Sequence, residues 1–506
     1  MKLLSAGMAI CILLTLFMTG CGIVIINDKD KNNSKTEDIS LPELTTVPEE
    51  TTIPILTFMP ESDKPVKTLD PEDKRVLAEQ YLNELPDYDF GDLAVFITSM
   101  EITSLIPQNT DYFVYNTRIE RTQAVEEKYS TKIVGVEEDY RSVYDKTYSA
   151  VYSGDFYSDI IGVPMGALGQ FYKDGLLMNL NLLPFIDYSK PYYDTDAMKQ
   201  MSVGGGTYGL IGDFNKNMDY YHVMYFNKTL IKDLGIANPY DLVYDDEWTV
   251  DKFREMTLAT ANIDGVSGHG GSVPLDDYIN MFFSSTGEKF MDVGIGKAPT
   301  PKYNNTRVES IIAALRNMLY NDNTVFSEGI YAEEGARTAF YDGNILFYTD
   351  RINAMNWFVD MKNDWGVVPF PKLDKSQPYH TFVNEAMPVI CVPAGMSNIN
   401  NAGLALQALN AASYGFINDN YYAFLQRDVV RDTDVLNMLD YINGKDGKGK
   451  IAIDFVFMFG NVYTYMGDGT YKVIQSAVKN NYTLTSMYDR QYSTVMSHNK
   501  NAFPIG

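Results

Sequence analysis

Cysteine is nearly absent from this 506-residue chain. Of three, Cys11 and Cys21 sit in the N-terminal apolar segment, which leaves Cys391 alone in the rest. That part can form no internal disulfide and no cysteine-based metal cluster. Cys391 lies in the apolar run Met387-Pro-Val-Ile-Cys-Val-Pro393 and reads as a small buried hydrophobe, not a nucleophile. Histidine is scarce too: His222, His269, His380 and His498 are scattered, with no HExxH and no pair at helical spacing. No metal site and no cofactor are expected. Positive charge is in deficit, with 41 Lys and Arg against 66 Asp and Glu for a formal charge of −25. Such a surface repels phosphate backbones and argues against a nucleic-acid partner.

Long apolar runs are confined to the start. Lys2 is followed by the apolar stretch Leu3 to Phe17 and then Met18-Thr19-Gly20-Cys21. A basic start, an apolar core and small residues before a cleavage point make a secretory signal over residues 1–21. The tetrapeptide resembles the bacterial lipobox, which implies lipidation of Cys21 and anchoring to the outer face of the cell membrane. The alternative is an uncleaved anchor from Leu3 to Ile26, long enough to span a bilayer. Residues 22–68 then form a tether. From Asn27 to about Val66 its Lys, Asp, Asn and Ser give way to Thr, Pro and Glu, which cannot bury apolar surface. Such a coil of about forty residues reaches roughly 30–40 Å.

Beyond a helical lead-in at Pro71 to Leu85, strands and helices alternate. Leu93–Thr98, Thr131–Val136 and Asp159–Val163 are short apolar or β-branched runs. Asn116–Tyr129, Tyr140–Tyr152 and Gly166–Asp174 carry helical spacing between them. This alternation predicts an α/β fold with parallel strands, whose ligands gather at the strands' carboxyl ends.

Seven segments, in order, resemble the extracellular solute-binding proteins of ABC importers, carbohydrate type (family 1). They are Asn179–Pro184, Gly205-Gly-Thr-Tyr-Gly-Leu-Ile-Gly212 as a strand pair, and Met224-Tyr-Phe-Asn-Lys-Thr-Leu-Ile-Lys-Asp-Leu-Gly235. Glu247-Trp-Thr-Val-Asp-Lys-Phe253, Ala339–Phe347, Trp365-Gly-Val-Val-Pro-Phe-Pro371 and Met387–Ser397 complete the series, the last followed by a helix from Asn401 to Ala411. Asp350–Met355 and Lys372–Gln377 add a likeness to the large lipoproteins of Gram-positive anaerobes. The resemblance implies a two-lobed periplasmic-binding-protein-like (type II) fold with ligand in the cleft. Lobe one would hold 88–215 and 388–455, lobe two 220–380, and 456–506 would pack as helices across both. It implies a monomeric receptor that closes on a small polar solute, an oligosaccharide leading, and hands it to ABC permease subunits without catalysis.

By position in that pattern, four places would face the solute. They are Met165 after the third strand; Asp213 with Asp219, Tyr220 and Tyr221 at the first crossing; Asp350, Arg351 and Trp357 after Ile345–Tyr348; and Asn384 and Glu385 at the second crossing. Sugars are held by aromatic platforms and bidentate polar groups, which the last three places supply and the loop Pro164-Met165-Gly166 lacks. Asp350 and Arg351 also fit a surface ion pair, and Trp248 and Trp365 are assigned to packing. Gly444–Lys450 matches phosphate-loop spacing, but Ile451 replaces the needed Ser or Thr. Asn262–Gly268 has one carboxylate, too few for calcium. The rival readings are a surface glycoside hydrolase, needing two carboxylates across a cleft, and a binding protein serving a sensor kinase.

Overall fold

The computed structural model describes residues 71–107, 115–294, 296–326, 333–396, 398–415, 417–444 and 449–504, all within the unit Ile53–Gly506. The expected signal, Cys21 and tether lie outside the described residues, as does most of the loop Gly444–Lys450.

Two four-stranded sheets carry the architecture. The first holds β1 (Val95–Ser99), β2 (Ile133–Glu137) and β3 (Ile160–Pro164), joined by helices Asn116–Tyr129 and Tyr140–Ser153. β1 pairs in parallel with both neighbours, as in Ile97 opposite Ile160. The second sheet is built on β4 (His222–Asn227), β5 (Ser267–Gly271), β8 (Ile345–Arg351) and β9 (Trp365–Val368), in the order β5-β8-β4-β9. β4 is buried at every position and β8 at all but Arg351, as expected of strands covered on both faces. β6 (Met291–Asp292) and β7 (Thr300–Pro301) form a small antiparallel ribbon.

Local chemistry sets the boundaries. Asp139 accepts from two backbone N–H groups to start helix Tyr140–Ser153, and Asn227 caps Lys228–Leu234, which ends at Gly235 with φ of 62°. The segment Gly205–Gly212 makes isolated bridges, Val203 to Gly206, Leu210 to Ile390 and Gly212 to Tyr193, and not the expected strand pair. It is pinned instead by Asn215, whose amide donates to the carbonyls of Leu210 and Pro388.

The chain leaves the first sheet through residues 212–221 and returns at 383–387. Between these crossings, β10 (Tyr379–Phe382) pairs with β12 (Gly449–Ala452), and β11 (Pro388–Cys391) then adds antiparallel to β3. Helix Ile399–Ala411 packs on the first lobe, against helix Asn116–Tyr129 and β1. Helix Thr433–Ile442, expected with lobe one, lies instead against β9 of the second lobe, tied there by Lys228 to Asp432 at 2.8 Å. Its apolar face, with Val435, Met438, Leu439 and Ile442 buried, finds its partner there. At the C-terminus, Phe455–Gly460 packs on the first lobe, while Thr464–Asn480 and Leu484–Ala502 pack on the second.

Candidate functional site

Between the lobes lies a cavity of about 490 Å³, lined by the turn after β1, the start of helix Asn116–Tyr129, the first crossing, the end of β8 and helix Ile417–Asp428. Each wall follows from a strand or helix terminus. β1 ends at Ser99, whose hydroxyl accepts from the Glu101 N–H, and Ser104 closes the turn on the Glu101 carbonyl. Glu101 is thereby placed at the carboxyl edge of the first sheet, where ligands of such sheets collect. Helix Asn116–Tyr129 contributes Arg118 in its first turn, its guanidinium 5.6 Å from the Tyr115 ring centre.

The floor is the first crossing. Asn217 accepts from the Asp219 N–H and sets the short turn Met218–Tyr220. The Tyr421 hydroxyl donates to Asp219 at 2.6 Å. Burial, and then the Glu101 carboxylate, raise the Tyr220 phenol well above its ordinary range. The second lobe adds Arg351, where the buried run of β8 surfaces, and Asn353 and Asn356 from the turn that follows. Burial lowers the Arg118 pKa, an effect opposed by Tyr115, Asp219 and Tyr421. The result is a polar and aromatic chamber with charges of both signs.

Of the ten residues expected at the solute, the structure brings Asp219, Tyr220 and Arg351 together here. The others are placed differently. Asp213 accepts from the Gly415 N–H at 2.9 Å, and burial pushes its carboxyl up to about 6. Tyr221 is fully buried, with no hydrogen-bond partner for its hydroxyl among the described residues. Asp350 makes no ion pair with the Arg351 guanidinium: it is buried, and it accepts from Arg337 at 3.1 Å, from the Tyr348 hydroxyl at 2.7 Å and from the Arg351 backbone N–H at 2.7 Å. Asn384 ties the crossings, its amide 3.3 Å from His222 Nε2 and its backbone N–H on the Tyr220 carbonyl at 2.8 Å. Met165 is buried, its N–H donating to Met387, and the next residue, Gly166, donates to the Glu385 carbonyl. Glu385 therefore sits beside Met165, away from the cavity. Trp357 is 63% exposed on the turn that carries Asn353 and Asn356, with the Arg337 guanidinium 4.9 Å from its ring centre.

Sequence reasoning missed Glu101, Tyr115, Arg118 and Tyr421. Arg118 had a readable signal, a cation in step with Thr122, Val125 and Tyr129 on the buried stripe of its helix. Glu101 follows a predicted strand, the position where α/β sheets place ligand groups. Tyr421 had none, since its helix reaches Asp219 from 202 residues away. No group of three His, Cys, Asp or Glu able to hold a metal occurs among the described residues.

No family model and no curated protein matches the sequence. Solved structures do match in fold. A family 1 extracellular solute-binding protein from Bifidobacterium longum subsp. infantis aligns with a TM-score of 0.53 at 14% identity, over 80% of this chain and 100% of that one. UspC of M. tuberculosis gives 0.52 at 12%, over 80% and 100%. The galacto-N-biose-/lacto-N-biose I-binding protein of a Bifidobacterium longum ABC transporter, in complex with lacto-N-biose, gives 0.51 at 13%, over 82% and 99%. This chain has the two-lobed periplasmic-binding-protein-like fold.

Proposed function

We propose that this chain is the extracellular solute-binding receptor of an ABC importer, capturing an oligosaccharide and catalysing nothing. The observation that carries the reading is the cavity itself. It is walled by both lobes, floored by a chain crossing, and lined by carboxylates, amides, guanidiniums and tyrosines suited to sugar hydroxyls and ring faces. A solute that touches both walls favours the closed arrangement over the open one, and the permease reads that difference. Three solved structures of like fold are solute-binding proteins or share their architecture, and one holds a disaccharide.

On this reading residues 1–21 are a lipoprotein signal, Cys21 carries the lipid, and 22–68 tether the receptor to the outer face of the membrane. No described helix is long and apolar enough to cross a membrane. The solute contacts include Glu101, Arg118, Asp219, Tyr220 and Arg351, with Trp357 at the rim.

A thermal-shift screen against mono- and oligosaccharides, peptides and polyols tests the proposal. A ligand at a hundredfold its Kd adds about 2.7 kcal/mol, a shift of several degrees. A dose-dependent rise with a saccharide class, and no new reducing ends, supports it. Turnover of a glycan, or no rise with any solute, overturns it.

A further inference from the structure

Arg118 and Arg351 enter the same cavity from opposite lobes, and among the described residues neither guanidinium is hydrogen-bonded to an acceptor. Arg118 is only 8% exposed. A guanidinium so buried costs free energy unless its donors are used, and each carries five. Other guanidiniums among the described residues do use their donors. Arg254, Arg307, Arg337 and Arg431 all reach carboxylates, and the fully buried Arg121 donates to the carbonyls of Leu105 and Phe214 and to the Ser413 hydroxyl.

Two other charges of the cavity are already engaged: Asp219 accepts from the Tyr421 hydroxyl, and Lys216 pairs with Asp194 at 3.5 Å. The Glu101 carboxylate acts electrostatically on the Tyr220 phenol. Asp219 acts on Arg118 electrostatically without pairing to it. The 14-residue helix that begins beside Arg118 adds partial positive charge, and Tyr115 at its N-cap makes no side-chain capping bond. In a chain of formal charge −25, two uncommitted guanidiniums facing one chamber mark a site for negative charge.

We infer that the solute is an anionic saccharide, its acidic group gripped between Arg118 of one lobe and Arg351 of the other. This rests on the receptor reading above and names its solute class. A planar guanidinium fork matches a carboxylate bidentately, so a hexuronate is the favoured form, and a sulfate ester offers the same anionic oxygens. Tyr115 and Tyr220 supply faces for the ring, and Asn353 and Asn356 supply partners for hydroxyls. Because the anion meets both cations only when the lobes come together, it also drives closure.

The test is calorimetric titration of the detergent-solubilised full chain at low salt with matched probes. These are trigalacturonate and its fully methyl-esterified form, galactose 6-sulfate and galactose, with maltotriose and lacto-N-biose as neutral references. The expected result is that a charged member binds on the order of 10- to 100-fold more tightly than its neutral partner. Arg351→Gln weakens the charged member more than its neutral partner and so removes most of that advantage, and Arg118→Lys does so in part. Preference in the galacturonate pair assigns a carboxylate, and in the sulfate pair alone a sulfate ester. If neutral saccharides bind as tightly as charged ones, or Arg351→Gln leaves the preference intact, the inference falls and the receptor reading stands. If no saccharide of either kind binds, both fall. Arg351 is part-exposed on the second lobe, so its variant keeps the test open if the Arg118 variant fails to fold.

Discussion

Replacing Asn384 with Ala separates two roles for one residue. Family position suggested a solute contact, whereas the structure uses the side chain to join the crossings. Its Nδ2 lies 3.3 Å from His222 Nε2, and its Oδ1 accepts from the Ala386 N–H at 3.0 Å. His222 is fully buried in the polypeptide around it, and desolvation lowers its pKa to about 4, so it is neutral at pH 7. Its Nδ1 already has no partner among the described residues. The substitution leaves Nε2 and the Ala386 N–H without partners, at ~1–3 kcal/mol for each fully buried group. Asn384 and Ala386 are partly exposed, so the lower half applies, about 2–4 kcal/mol in all. For lobes of roughly 200 residues this lowers Tm by roughly 4–16 °C, read by scanning calorimetry of the unliganded protein. The backbone bond from Asn384 to Tyr220 persists, so saccharide affinity changes by less than about threefold, under 0.7 kcal/mol. An unchanged Tm with affinity reduced tenfold or more would refute the structural role and return Asn384 to the solute.

Three further outcomes are expected. His222→Gln alters the pH dependence of stability: with a folded pKa of about 4 and an ordinary value of 6.5, the unfolded chain binds more protons between those values. The wild-type contribution from His222 is therefore lost as pH falls through that window, by up to about 3 kcal/mol. Denaturant melts from pH 4 to 7 should show the wild-type minus variant difference rising with pH. Asp213 and Asp454, raised to about 6 by burial, act in the opposite direction in both proteins and cancel in the difference; a flat difference contradicts the assignment. Trp357→Phe should abolish acrylamide quenching of tryptophan emission while moving stability by less than about 0.5 kcal/mol, because Trp248 and Trp365 are buried. Gly169→Ala should cost about 1–3 kcal/mol by urea unfolding, since the new Cβ would meet the Met458 carbonyl and lie 3.0 Å from Phe459 Cα, backbone that cannot swing aside.

The parts of the fold that were legible in the sequence are those specified locally. The first three strand–helix units announce themselves by a change of period from two to 3.6, and the structure places β1, β2 and β3 within two residues of the predicted runs. The motif around Trp248 was readable as packing because the ring belongs with Phe253 and Phe347, and its N–H donates to the Pro369 carbonyl. Helix Thr433–Ile442 carries an apolar stripe, Val435, Met438, Leu439 and Ile442, that does not say which lobe it covers. That choice is made by Lys228 and β9, far away in sequence.

The site divides along the same line. Asp219, Tyr220 and Arg351, which line the cavity, each stand next to a strand end or crossing that the sequence marks. Asp213 and Asp350 stand in equally marked places, yet each is consumed by a partner contributed from elsewhere, the Gly415 N–H and the Arg337 guanidinium. A polar residue at a crossing is therefore free for a solute only when no distant donor or acceptor has claimed it, and that is a property of the whole fold. Arg118 and Arg351 meet this condition together, one on each lobe. Their freedom is what a residue pattern cannot express, so an inference about the charge of the solute has to start from the folded chain.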